Sequence, residues 1–138
     1  MHSVFVLCQN YPSEKDKYSM AFVHPRIKEY LKTGLDVKVI SFACNCSYIY
    51  DEVQVYTLQK GKELLRKSEK VILIAHAPNI KNHLFFILKT WKYLDRLILF
   101  FHGHEVLSTK KYYPRPYDFN KAAKREYRFL RLYDQIKL

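Results

Sequence analysis

Three histidines stand at the ends of apolar runs, where a side chain can meet a ligand and move a proton. His76 follows VILIA, and His102 and His104 follow RLILFF. His102-Gly103-His104-Glu105 is the sharpest local pattern. Two histidines one residue apart can share a metal ion, and the adjacent carboxylate would add a third ligand. No further Asp/His pattern supplies the rest of a set. Hydrolases that place His-x-His after a strand use a barrel of about 250 residues, and this chain has 138. The plainer reading is a polar strand end and turn, with Gly103 supplying an unusual backbone angle. His76-Ala77-Pro78 reads the same way, more weakly. His24, at a proline-interrupted helix start, and His83, beside Leu84 and Phe85, read as structural.

Other chemistries lack their residues. A dinucleotide fingerprint needs glycines where the first helix opens, so that backbone can approach a pyrophosphate. The stretch from Gln9 to Met20 contains none, which argues against NAD and FAD. No GxxxxGK[ST] loop and no GxSxG elbow is present, and no Cys-His pair stands out. Cys8, Cys44 and Cys46 are odd in number and Cys8 lies within an apolar run, a usage that fits a reducing compartment. Cys44-Asn45-Cys46 has no second ligand pair at zinc spacing.

The elements that must position these residues follow from periodicity. Ser3–Gln9 is a buried-type strand ending in the turn residues Asn10-Tyr11-Pro12-Ser13. A helix runs from about Ser19 to Thr33 with apolar residues at helical spacing, and Pro25 moves its start toward Phe22. Gly34 stops it. Asp36–Ala43 is a second strand, Ala43–Tyr50 a loop, and Glu52–Leu58 a third strand at the sheet edge. A short helix over Lys60–Ser68 leads to a fourth strand, Lys70–Ala75. Asn79 caps a helix over Ile80–Tyr93, and Arg96–Phe101 is the fifth strand. After an irregular stretch, Asn120 caps a basic helix. Strands alternating with helices predict an α/β fold: a doubly wound, mainly parallel, Rossmann-like sheet with helices on both faces. In the order 3-2-1-4-5, ligands bind where strand order reverses. That brings Gln9–Ser13, His76–Asn79 and His102–Glu105 around one crevice.

The composition excludes disorder: hydrophobic residues make up 49% and aromatic residues 16%. The formal net charge is +11, which favours anionic partners without choosing among them. Between Lys110 and Arg131, eight Lys and Arg residues face only Asp118 and Glu126, a net +6. This stretch reads as a solvated helix or as an anion-binding or membrane surface. The longest apolar runs, Leu84–Leu88 and Leu97–Phe101, fall far short of the ~20 residues that span a bilayer. No secretory signal precedes the first strand pattern.

NYPSEKDKYSMAFVHPRIKEYLKTGLDVKVISF resembles the opening of family 4 glycosyltransferases. Tyr11-Pro12-Ser13, Phe22-Val23-His24 and Gly34 with Val37 and Val39 carry the likeness, and VILIAHAP and RLILFFHGHE resemble the later strands of the same domain. The likeness spans nearly the whole chain. It implies one half of a GT-B architecture, the acceptor-side domain of a retaining enzyme. That enzyme would move sugar from a nucleotide-sugar donor to a glycan or lipid-linked acceptor in cell-envelope polysaccharide synthesis. It implies no cofactor and no metal. His102 matches the strand-end histidine that sits against the transferred sugar, the catalytic assignment. Tyr11, Ser19, Met20, Ala21, His76, Gly103, His104 and Glu105 are the implied substrate-binding residues. The loop glycine near the donor phosphates falls at Met20, a departure that leaves the Ser19 or Ala21 amide for that contact.

The resemblance further implies that residues 1–138 form one domain, that the donor domain with its paired glutamates is absent from them, and that the chain alone lacks transferase activity. The expected location is cytoplasmic, peripheral at the inner face of the membrane. There Lys110–Arg131 would meet anionic lipid together with Lys81, Lys89, Trp91, Lys92, Tyr93 and Arg96. The competing reading is a stand-alone basic module for anionic lipid or nucleic acid. Nucleic acid is disfavoured because no reader motif appears. A receiver-like domain is disfavoured because Gln9 and Asn10 replace its acidic pair.

Overall fold

The computed structural model describes residues 1–102. Gly103, His104, Glu105, the Lys110–Arg131 stretch and the helix expected from Asn120 lie outside them. Strand β1 (Ser3–Cys8) leads through a loop and a 3-10 turn (Ala21–Val23) into helix α1 (His24–Lys32). Pro25 lies in the first turn of α1, where its missing N–H costs nothing. Gly34, at φ 80°, takes the left-handed position just past the helix. Then follow β2 (Asp36–Ser41), β3 (Tyr48–Tyr50), β4 (Val53–Tyr56), α2 (Leu58–Lys67) and β5 (Val71–His76). A π turn (Ile80–Leu84), α3 (Phe85–Thr90), a 3-10 turn (Trp91–Tyr93) and β6 (Arg96–Phe100) complete the order.

The six strands form one sheet in the order β3-β4-β2-β1-β5-β6. Every pairing is parallel except β3 with β4. The fold is Rossmann-like α/β, and the expected 3-2-1-4-5 order is present as β4-β2-β1-β5-β6. Alternation along each strand divides the core in two. On one face Val4, Val6, Val37, Val39 and Ile74 pack with Val23 and Ile27, so α1 covers it. On the other, Phe5, Leu7, Ile40 and Leu73 pack with Leu65 of α2 and Phe86 and Ile87 of α3. Gly61 lets α2 lie close to the sheet, because a Cβ there would stand 2.5 Å from Ile40 Cγ1.

Three local expectations are corrected. Tyr48–Tyr50, read as loop, is the edge strand, and the strand read as the edge lies inside it. A two-residue turn with Asp51 and Glu52 both at positive φ joins them. That geometry favours Asn-Gly, so the hairpin carries no turn signal in its sequence. The helix over Ile80–Tyr93 forms as three segments, π, α and 3-10, although Asn79 caps it as expected. The helix read from Lys60 begins at Leu58, where the Thr57 hydroxyl accepts from the Lys60 N–H.

Candidate functional site

β1 ends at Cys8 and β5, its neighbour, ends at His76, while their crossovers leave on opposite faces of the sheet. The chain therefore diverges above the two strands and leaves a cavity of about 390 Å³ at their carboxyl ends. Three amide side chains line it as a unit. Gln9 Oε1 accepts from Asn79 Nδ2 at 3.2 Å and from Asn82 Nδ2 at 2.7 Å. Asn79 Oδ1 in turn caps the Asn82 and His83 N–H groups. Asn10, Met20, Ala77 and Lys81 complete the wall. Met20 (φ 49°) and Ala77 (φ 47°) both hold left-handed backbone, a costly conformation for side-chain-bearing residues.

Beside the crevice, on the face that α1 covers, His76 and His102 meet. His76 is 1% exposed, and its ring stacks on Phe100 at 4.9 Å and an interplanar angle of 7°. Its Nδ1 lies 3.2 Å from His102 Nε2, so one of the two nitrogens donates to the other. Burial, then the neighbouring His102 and Arg26, push the His76 pKa down to about 4, so it is neutral at pH 7. Its Nε2 finds no hydrogen-bond partner among the described residues. His102 is exposed and rests on Phe22, ring centroids 4.8 Å apart. Arg26 sits over Phe100 at 4.5 Å and adds positive charge nearby. Among the described residues no group of three His, Cys, Asp or Glu could hold a metal ion.

The remaining candidates divide. Met20 lines the crevice, whereas Tyr11 and Ser19 line a separate cavity of about 200 Å³ above β1 and β2. The Tyr11 hydroxyl is committed to His24 Nδ1 at 2.5 Å, and His24 Nε2 reaches Asp51 Oδ2 at 2.9 Å. Burial pushes the Tyr11 phenol well above its ordinary range, so it does not serve as an acid or base near neutral pH. Ala21 stands in the 3-10 turn with its N–H donated to Tyr18 O, so of the two amides expected to meet a phosphate this one is engaged within the turn. Gly103, His104 and Glu105 lie outside the described residues. Lys81, expected at an anionic surface, lines the crevice, and Asn82 is a lining residue that the sequence reading does not name. The signal for Asn82 is its spacing, three residues after a capping asparagine.

No helix among the described residues is long and apolar enough to cross a membrane. Comparison of the chain with protein-family models, with curated proteins and with solved structures finds no match.

Proposed function

We propose that this chain is the acceptor-side domain of a retaining glycosyltransferase resembling family 4, acting with a nucleotide-sugar-binding domain. The observation that carries the reading is the crevice between β1 and β5. Four amide side chains line it, and among the described residues Lys81 is its one charged residue. Amides both donate and accept, as sugar hydroxyls do, and this lining suits a polyhydroxylated ligand better than a polyphosphate. Two further features support it. Met20, at the family's glycine position, holds a left-handed backbone, a conformation that glycine adopts without strain. His102 stands at the carboxyl end of β6 with its ring tilted against Phe22 and a ring nitrogen engaged by His76. It would orient the transferred sugar and stabilise charge at the reacting centre. The acceptor is a glycan or lipid-linked sugar of cell-envelope polysaccharide synthesis. The Lys110–Arg131 segment would meet anionic lipid at the inner membrane face.

Titrating isotope-labelled chain with a polyprenyl-phosphate-linked sugar in micelles tests this. Amide shifts at Gln9, Asn10, Met20, Ala77 and Asn79 are expected. Shifts there with NAD and none with the sugar would replace acceptor binding by dinucleotide binding.

A further inference from the structure

A second concavity, of about 280 Å³, lies between α2 and α3 on the face of the sheet away from α1. Three phenylalanines, Phe42, Phe85 and Phe86, and three lysines, Lys62, Lys81 and Lys89, make most of its lining. The volume is near the lower end for small-molecule pockets, and hydrophobic and aromatic side chains are usual in their lining. Phe85 is 54% exposed, so part of the apolar wall stands open to solvent.

The groove gathers three of the six described lysines that pair with no carboxylate, Lys15, Lys70 and Lys92 being the others. Lys17, Lys28, Lys32, Lys38, Lys60 and Lys67 each pair with a carboxylate. Lys62, Lys81 and Lys89 pair with none, and no acidic side chain lines the groove, among the described residues. The neighbouring acid on α2, Glu63, is already engaged by Lys60 and Lys67. Three uncompensated cations repel one another beside low-dielectric aromatic walls, and a bound anion would remove that cost. A carboxylate neutralises one of the three. A phosphate monoester carries a charge of about −1.5 to −2 at pH 7 and offers several acceptor oxygens. The phenylalanines ask for an apolar body on the same molecule, and ring faces and edges suit an aromatic or flat hydrocarbon group.

We infer that the α2–α3 groove binds an amphiphilic phosphate, a phosphate monoester on an apolar body. The inference stands apart from the reading of the crevice, although Lys81 and Asn82 line both spaces.

The probe is 1-naphthyl phosphate, read by calorimetry and by amide shifts on the full 138-residue chain. It should bind at least about tenfold more tightly than inorganic phosphate or 1-naphthol, since each carries only half the recognised chemistry. Shifts should fall on Phe42, Lys62 and Phe85, not on Asn10, Met20 and Ala77. The double substitution Lys62→Gln with Lys89→Gln should weaken binding by about tenfold or more at an unchanged melting temperature. Phe85→Ser, at a half-exposed site, should weaken it without affecting inorganic phosphate. Equal binding of 1-naphthol, unchanged affinity in the double variant, or shifts confined to the crevice would each overturn the proposal. Phosphatidylcholine vesicles with and without phosphatidic acid identify the source. Vesicle binding displaced by 1-naphthyl phosphate supports the groove with a lipid headgroup as ligand. Probe binding without vesicle binding supports it with a soluble one. Vesicle binding that survives the double substitution, with no probe binding, overturns it.

Discussion

Two polar clusters flank the end of β1, and they are built oppositely. On the β2 side, Tyr11, His24, Asp51 and Lys28 form a closed set. His24 has both ring nitrogens committed, and Lys28 Nζ donates to Asp51 O and Glu52 Oε2. On the β5 side, the Gln9, Asn79 and Asn82 amides bond one another around an open cavity, and His76 keeps one buried nitrogen without a partner among the described residues. The closed cluster docks a strained hairpin: Asp51 and Glu52 both hold positive φ, and the contacts from α1 fasten that turn to the helix. The contrast separates stability from binding. Polar groups that satisfy one another fully rigidify a fold, whereas groups left facing a cavity are available to a ligand.

Substitutions can break this division. The largest effect is expected on the open side. In the chain joined to a donor-binding domain, His102→Ala should lower sugar-transfer turnover by about 10²-fold, the cost of losing one group that stabilises transition-state charge. Its melting temperature should stay within a few degrees of wild type. Unchanged turnover removes His102 from the mechanism.

On the closed side, Tyr11→Phe removes a buried hydroxyl and leaves His24 Nδ1 without that partner. A loss of about 1–2 kcal/mol in denaturant unfolding is expected, with ligand binding in the crevice unaltered. Weakened crevice binding without that loss would invert the comparison.

A smaller effect separates the two histidine environments by pH. The folded-state pKa of His76 lies near 4, below the ordinary 6.5, so the unfolded chain binds the proton more readily. Its contribution to stability is therefore full above about pH 6.5 and is lost as pH falls toward 4. Unfolding followed across that window should show stability falling with acid, and His76→Gln should flatten the slope. The same slope in the variant assigns it elsewhere.

Smallest is Met20→Gly. Glycine relieves the left-handed strain at Met20, but its greater freedom in the unfolded chain offsets part of the gain. The expected change is a stabilisation of no more than about 1 kcal/mol, seen as a slightly raised melting temperature. A clear destabilisation would show that the Met20 side chain, which packs against the core, matters more than its backbone angle.

Much of the architecture is legible in the residues themselves. Val4, Val6, Ile72 and Ile74 with their neighbours form apolar runs, Gly34 closes α1 and Asn79 caps the segment after β5, each signal within a few positions of the element it marks. Such local rules yield the five parallel strands, their order and the three strand ends that face one edge. The hairpin of β3 escapes them, because a three-residue strand and an Asp-Glu turn at positive φ exist only where α1 holds them. The fates of the histidines escape them too. His24 reads as structural, and that reading holds, but its partners stand 13 and 27 positions away. His76 and His102 touch across 26 residues, because the parallel register of β5 and β6 aligns their carboxyl ends.

What the sequence determined alone is what short-range chemistry can carry: periodicity, breakers and caps, and from these the α/β class and the edge at which polar residues collect. Which amides close on Gln9, which histidine is held neutral, and which lysines stand without a carboxylate are properties of distance in space. They were decided only when the crossovers placed α1 on one face of the sheet and α2 and α3 on the other.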